Sequence, residues 1–180
     1  PARLQRVMDP APPARVLLIH THPVQYLAHL YREYGARPEL DVLVAFCRVP
    51  AGTSLYDKAF GMETEWGVGL LGGYRSVALP ERLHRISDYF NPAVWRLVRR
   101  GNFDAVIAYG YNFPTAWVSL AAAKLSGVPW AFVGDNHTLA NPQGKKRFGK
   151  RSFLVTIGRL VDGVAAQSVR AANFYSGFAG

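Results

Sequence analysis

Three short polar stretches hold most of the side chains in this sequence that can do chemistry. "HTHPVQY" gathers His20, His22, Gln25 and Tyr26; "YGYN" gathers Tyr109 and Asn112; "GDNHT" gathers Asp135, Asn136 and His137. A histidine near a carboxylate can be oriented for proton transfer or for hydroxyl recognition. His137 and Asp135 are therefore the candidate catalytic residues. His22, Gln25, Tyr26, Tyr109, Asn112 and Asn136 offer hydrogen bonds or ring faces to sugars or bases, and are the candidate binding residues. Plainer roles compete for the same positions. Asp135, Asn136 or Thr138 can cap a helix, Pro23 and Gln25 can open one, and the aromatic rings can fill a core. The H-x-H pair of His20 and His22, with Asp135 and His137, also suits a metal. The spacing alone does not bring three such ligands together, so no metal ligand is assigned.

Each stretch follows an apolar run. "RVLLIH" (15–20), "DVLVAFC" (41–47), "YRSVAL" (74–79), "FDAVIAYG" (103–110), "VPWAFVGD" (128–135) and "GVAAQS" (163–168) read as strands. Apolar-throughout strands are those buried on both faces, as in a parallel sheet flanked by helices. Helices alternate with them. In "VQYLAHLYREYG", Tyr26, Leu27, Leu30, Tyr31 and Tyr34 share a face by three- and four-residue spacing, with Gly35 as the stop. "NPAVWRLVRRG" starts with Asn91 as N-cap and Pro92 at the first helical position. "PTAWVSLAAAKLSG" runs from Pro114 to Gly127. A basic helix is expected from about 146 to 160, and a last one at "VRAANFYS". Residues 52–73 read as a long connection.

This alternation predicts an α/β fold: a doubly wound, mostly parallel sheet with helices on both faces. Ligands of such sheets sit beyond the carboxyl ends of the strands, which is where all three polar stretches fall. The first loop lacks G-x-G-x-x-G and G-x-x-x-x-G-K-[ST], so a dinucleotide site or a P-loop is not expected. Backbone amides near Val24 to Tyr26 can still meet an oxygen-rich ligand.

The chain has 180 residues and a formal charge of +9. One well-cored domain is expected over 15–180, after a proline-rich leader over 1–14. No apolar stretch reaches the roughly 18 to 20 residues of a membrane span. The charge favours anionic partners. No reader motif accompanies it, so nucleic acid is not expected, whereas "GKKRFGKR" (144–151) and the "WRLVRRG" helix suit an anionic membrane surface. The single cysteine, Cys47, reads as a buried strand thiol in a reducing compartment. A cytoplasmic protein, peripheral at the inner face of the membrane, is the expectation.

The order of elements and loop text resembles the N-terminal domain of glycosyltransferase family 4, of GT-B fold. The likeness rests on "HPVQYLAHLYREY", "WGVGLLGGY", "FDAVIAYGYNFPTAW", "VPWAFVGDNHT" and "RLVDGVAAQSVRAANFYSGFAG", and covers nearly everything from Arg15 onward. It implies a Rossmann-like, acceptor-binding half of an enzyme that moves a sugar from a nucleotide-sugar to a glycan or lipid-linked acceptor, with retention. It implies no metal, and no cofactor beyond the nucleotide-sugar co-substrate. It also implies that a C-terminal donor-binding domain lies outside this chain, so that the piece alone is inactive or nearly so. His137 matches a histidine that recurs after the fifth strand in the family. Two positions depart: Tyr109 stands where many members carry histidine, and Gly67 follows Trp66 where related sequences show Trp-Asp. The alternative reading is a non-catalytic carbohydrate- or membrane-surface-binding module.

Overall fold

A computed structural model describes residues 11–49, 54–57, 62–65, 69–80, 89–134 and 155–176. The elements run β1 (Ala14–His20), α1 (Gln25–Gly35), β2 (Leu40–Phe46), β3 (Ser54–Asp57), β4 (Met62–Glu65), β5 (Ser76–Ala78), α2 (Ala93–Arg100), β6 (Ala105–Ala108), α3 (Pro114–Ser126), β7 (Trp130–Gly134), β8 (Gly163–Ala166) and α4 (Val169–Ser176). Residues 155–160 are also helical.

Six strands form one sheet in the order β5-β2-β1-β6-β7-β8. Every pairing in it is parallel. β1 occupies the centre, in register from Ala14–Leu40 to His20–Phe46 with β2 and from Val16–Ala105 to Ile19–Ala108 with β6. The order grows from β1 to one side and then, from β6, to the other. This is a doubly wound, Rossmann-like sheet whose switch point lies between β1 and β6.

Alternate residues of a strand face opposite sides, and the core divides accordingly. Leu18, Val42, Val44 and Phe46 pack with Leu27 and Tyr31 of α1 on one face. Leu17, Ile19, Ala45, Val106, Ala108 and Phe132 pack with α2, α3 and α4 on the other. Gly127 closes α3 at φ 67, a left-handed cap that would strain a residue bearing a Cβ. At the amino ends of the strands, Asp41 bonds both Arg15 and Arg75, and Asp104 accepts the Arg15 backbone N–H at 2.8 Å. Asp162 holds the far edge, accepting from the Trp130 N–H and from Lys124 Nζ, each at 2.8 Å.

The structure differs from the sequence reading at several places. α1 ends at Gly35 as its sequence pattern predicts, but the cap that follows, Ala36, is right-handed. Tyr26 leaves the shared apolar face and is 76% exposed, while Leu27, Ala28 and Tyr31 carry the burial. Pro92 sits at the cap of α2 and Ala93 is its first residue. Asn91 still does the capping chemistry, its Oδ1 accepting the Ala93 N–H at 3.1 Å. The connection over 52–73 contains an antiparallel hairpin, Ser54 opposite Glu65. Only 155–160 of the expected basic helix lies within the described residues.

Candidate functional site

The site is built where the sheet order reverses. β1 ends at His20, and the chain bends through Thr21 and His22 before α1 begins. Three backbone bonds tie this corner to its neighbours. Cys47 N–H donates to the His20 carbonyl at 2.9 Å, Arg48 N–H to the Thr21 carbonyl at 3.0 Å, and Tyr109 N–H to the Ile19 carbonyl at 2.8 Å. The last bond carries β6 past its formal end and sets the Tyr109 ring against His20, centroids 5.2 Å apart. His22 lies edge-on to His20 at 5.9 Å and stacks on Tyr89 at 6.0 Å. Tyr31 meets the other side of Tyr109, T-shaped, at 5.7 Å. The rings of Tyr89, His22, His20, Tyr109 and Tyr31 thus form a continuous row across the carboxyl ends of β1 and β6.

Hydrogen bonds define the state of His20. His22 N–H donates to His20 Nδ1 at 3.3 Å. A backbone N–H can only donate, so Nδ1 of His20 is an acceptor and the neutral ring carries its proton on Nε2. The Thr21 hydroxyl bridges the two imidazoles, 3.3 Å from His20 Nδ1 and 3.0 Å from His22 Nδ1. Burial first, and the charge of His22 second, push the pKa of His20 from 6.5 down to about 4.

A pH dependence of stability follows. Below pH 6.5 the unfolded chain takes up a proton at His20 that the native chain refuses, so stability is fully present above that pH. It falls as the pH drops, and the loss levels off below about 4. The expected loss is on the order of 2–3 kcal/mol. Urea denaturation at closely spaced pH values measures it, with His20→Asn as the comparison. A variant that keeps the full slope in this window would assign the effect to another group.

The phenols are held far from ionisation. Tyr109 is raised above its ordinary value by burial first and then by the phenol of Tyr34. Tyr31 is raised by burial first and then by Tyr109. The Tyr31 hydroxyl is a buried polar atom beside the Tyr109 phenol. Cys47 is buried and its thiol is pushed up to about 11, with the Thr115 hydroxyl beside it pulling the other way. At neutral pH it is a protonated thiol and a poor nucleophile.

Two helices open onto this rim without a side-chain cap. Val24 precedes α1 and Phe113 precedes α3, both in extended conformation, and neither first turn holds an acidic residue. The Gln25 and Tyr26 amides at the start of α1 suit an oxygen-rich ligand; α3 opens on Pro114, which has no N–H, and its Ala116 N–H bonds the Phe113 carbonyl at 3.1 Å. Gln25 sits half-buried in the first turn of α1. Gly110, at φ 98, turns the chain between Tyr109 and Tyr111; a Cβ there would stand 3.1 Å from Asn112 Oδ1, so the exposed Asn112 amide folds over a position that requires glycine.

Of the sequence candidates, His22 and Tyr109 are brought together through His20, with Gln25 and Asn112 on the flanking loops. Tyr26 is on the same helix start but points to solvent. Asp135, Asn136 and His137 lie outside the described residues, and so do the remaining ligands of the metal reading. The strand before them, β7, ends at Gly134 beside β6. Sequence reasoning missed Tyr89, which precedes a helix and reaches His22 only through tertiary packing. It weighed His20 as a metal ligand and not as the hub of the ring row; its place at the last residue of the central strand was the available signal.

No protein-family model matches the chain, and no curated protein matches it. A cavity of about 360 Å³ lies away from the ring row, between the 155–160 helix and α4, with Phe132, Ile157, Val161, Val164 and Ala172 in its walls. Its apolar lining suits packing more than chemistry, and none of the candidate site residues among the described residues borders it. No helix among the described residues is long and apolar enough to cross a membrane.

Proposed function

We propose that the chain is the acceptor-binding half of a glycosyltransferase, acting on a nucleotide-sugar donor and a glycan or lipid-linked acceptor. The observation that carries this reading is the ring row at the β1/β6 switch point, where the His20 and Tyr109 rings stand 5.2 Å apart between two uncapped helix starts. Ring faces stack on sugar rings, and His20 Nε2–H, Tyr109 and Asn112 offer hydrogen bonds to hydroxyls. In this reading the acceptor lies over the rings. His137 and Asp135, after the neighbouring strand, handle its proton. The donor is held by a second domain facing this rim.

The chain joined to the sequence downstream of it in its gene, incubated with a panel of nucleotide sugars and of lipid and glycan acceptors, tests the proposal. Sugar transfer is the expected result. His137→Ala is expected to cut transfer by about 100-fold or more, as for a general acid–base residue, with the melting temperature nearly unchanged. No transfer and no donor hydrolysis across the panel would sink it. One observation favours the alternative of a non-catalytic carbohydrate-binding module. Tyr109 occupies the family's histidine position, and its phenol is raised still further from titrating at neutral pH. Glycan-array binding by the 180-residue chain without transfer by the joined protein would select that alternative.

A further inference from the structure

We infer that the solvent face of α2, with the end of α3 beside it, is a docking surface for an anionic lipid bilayer. Val94 and Val98 seat α2 on the core. Trp95, Arg96, Arg99 and Arg100 lie on the other side, since residues four apart stack along a helix, and all four are exposed, Trp95 to 39%. Arg99 reaches across to α3, its Nη1 donating to the Leu125 carbonyl at 3.2 Å. That bond places Leu125, 66% exposed, at the margin of the arginine face. Two large apolar side chains therefore stand in water among three guanidinium groups.

Among the described residues no carboxylate neutralises this face. Arg96 and Arg100 form no ion pair among the described residues. Asp104, the next carboxylate along the chain, is turned to the Arg15 backbone, and Lys124 at the end of α3 is held by Asp162. An exposed indole is out of place on a purely solvated helix face, and three exposed arginines are out of place against an apolar protein partner. An anionic bilayer uses both: the indole and the leucine enter the headgroup boundary while the guanidiniums meet the lipid phosphates. The net charge of +9 adds long-range attraction.

Sedimentation of the full chain with vesicles tests this without reference to sugar transfer. The chain is expected to bind vesicles of mixed phosphatidylcholine and phosphatidylglycerol, and to ignore phosphatidylcholine alone. Each arginine at such a surface strengthens binding about fivefold, so Arg96→Gln, Arg99→Gln and Arg100→Gln together are expected to weaken partitioning on the order of 100-fold. Tryptophan emission is expected to shift to the blue on binding and to lose that shift in Trp95→Phe. Lys145→Gln, Lys146→Gln and Arg147→Gln together serve as the comparison for the other basic stretch. The inference fails if no vesicle binds or if phosphatidylcholine binds equally well. It also fails if the folded triple-arginine variant, checked by circular dichroism, binds like the parent. Binding to single-stranded RNA but to no vesicle would overturn it in favour of nucleic acid.

Discussion

Phe132→Ala is expected to remove on the order of 3–5 kcal/mol of folding stability. Phe132 is 1% exposed in the middle of β7. Its ring meets Tyr111 at 5.1 Å, Tyr175 at 5.4 Å and Trp130 at 6.2 Å. These neighbours are themselves braced and cannot collapse into the gap. Trp130 is anchored through Nε1 to Ser119 Oγ at 3.0 Å. Tyr175 is pinned over Gly134, where a Cβ would stand 2.3 Å from its ring. The loss is a large share of the roughly 5–15 kcal/mol that holds a domain folded. Urea midpoints at constant m-value measure it, and Phe132→Leu, which refills most of the volume, is expected to restore more than half. A loss below about 1 kcal/mol would mean that the far half of the sheet is loosely packed.

Thr115→Val is expected to cost on the order of 2–4 kcal/mol although it keeps shape and volume. The Thr115 hydroxyl is fully buried in the first turn of α3. It accepts the Asn91 N–H at 2.7 Å and donates to the Tyr89 carbonyl. Asn91 in turn donates from Nδ2 to the Pro80 carbonyl at 2.9 Å. One hydroxyl therefore joins the exit of β5, the entry of α2 and the start of α3. Valine takes the acceptor from the buried Asn91 N–H and the hydroxyl donor from the Tyr89 carbonyl, and losing the partner of a buried N–H costs more than the bond itself contributes. Thr115→Ser, which keeps the hydroxyl, is expected to lose about 1 kcal/mol or less through the missing methyl. Equal losses in the two variants would show that the methyl matters and the hydroxyl does not. Because Tyr89 stacks on His22, the valine variant is also expected to disturb the His22 ring resonances, while the serine variant leaves them in place.

Much of the fold was legible before any coordinates. β1, β2, β6 and β7 are apolar through both faces, and the ends of α3 were marked by Pro114 and Gly127. α4 occupies the same eight residues that its sequence pattern predicts. These signals are local: a strand buried on both sides has no polar alternation, and a proline at a first turn or a glycine at a left-handed cap acts through its own backbone. The errors were also local competitions that packing decided. Tyr26 fits an apolar helical spacing, but at the first turn of α1 it faces solvent, while Leu27, Ala28 and Tyr31 face the sheet. Gly35 does end α1 as expected, and packing decided only the cap, a right-handed Ala36 whose N–H bonds the Arg32 carbonyl at 3.0 Å. The β3/β4 hairpin was invisible because "SLYD" and "METE" are short and mixed in polarity.

The sequence by itself determined the parallel sheet, the alternation of its strands with helices and the polar stretches that follow the strands. Each of those depends on residues within one element or its cap. Only the tertiary structure decided that β1 and β6 are neighbours, that His20 keeps its proton on Nε2, and that Tyr89 closes the ring row. It also decided that an indole and three arginines share an open face. Those facts join residues far apart along the chain, and no periodicity encodes which distant strand or ring will be pressed against which.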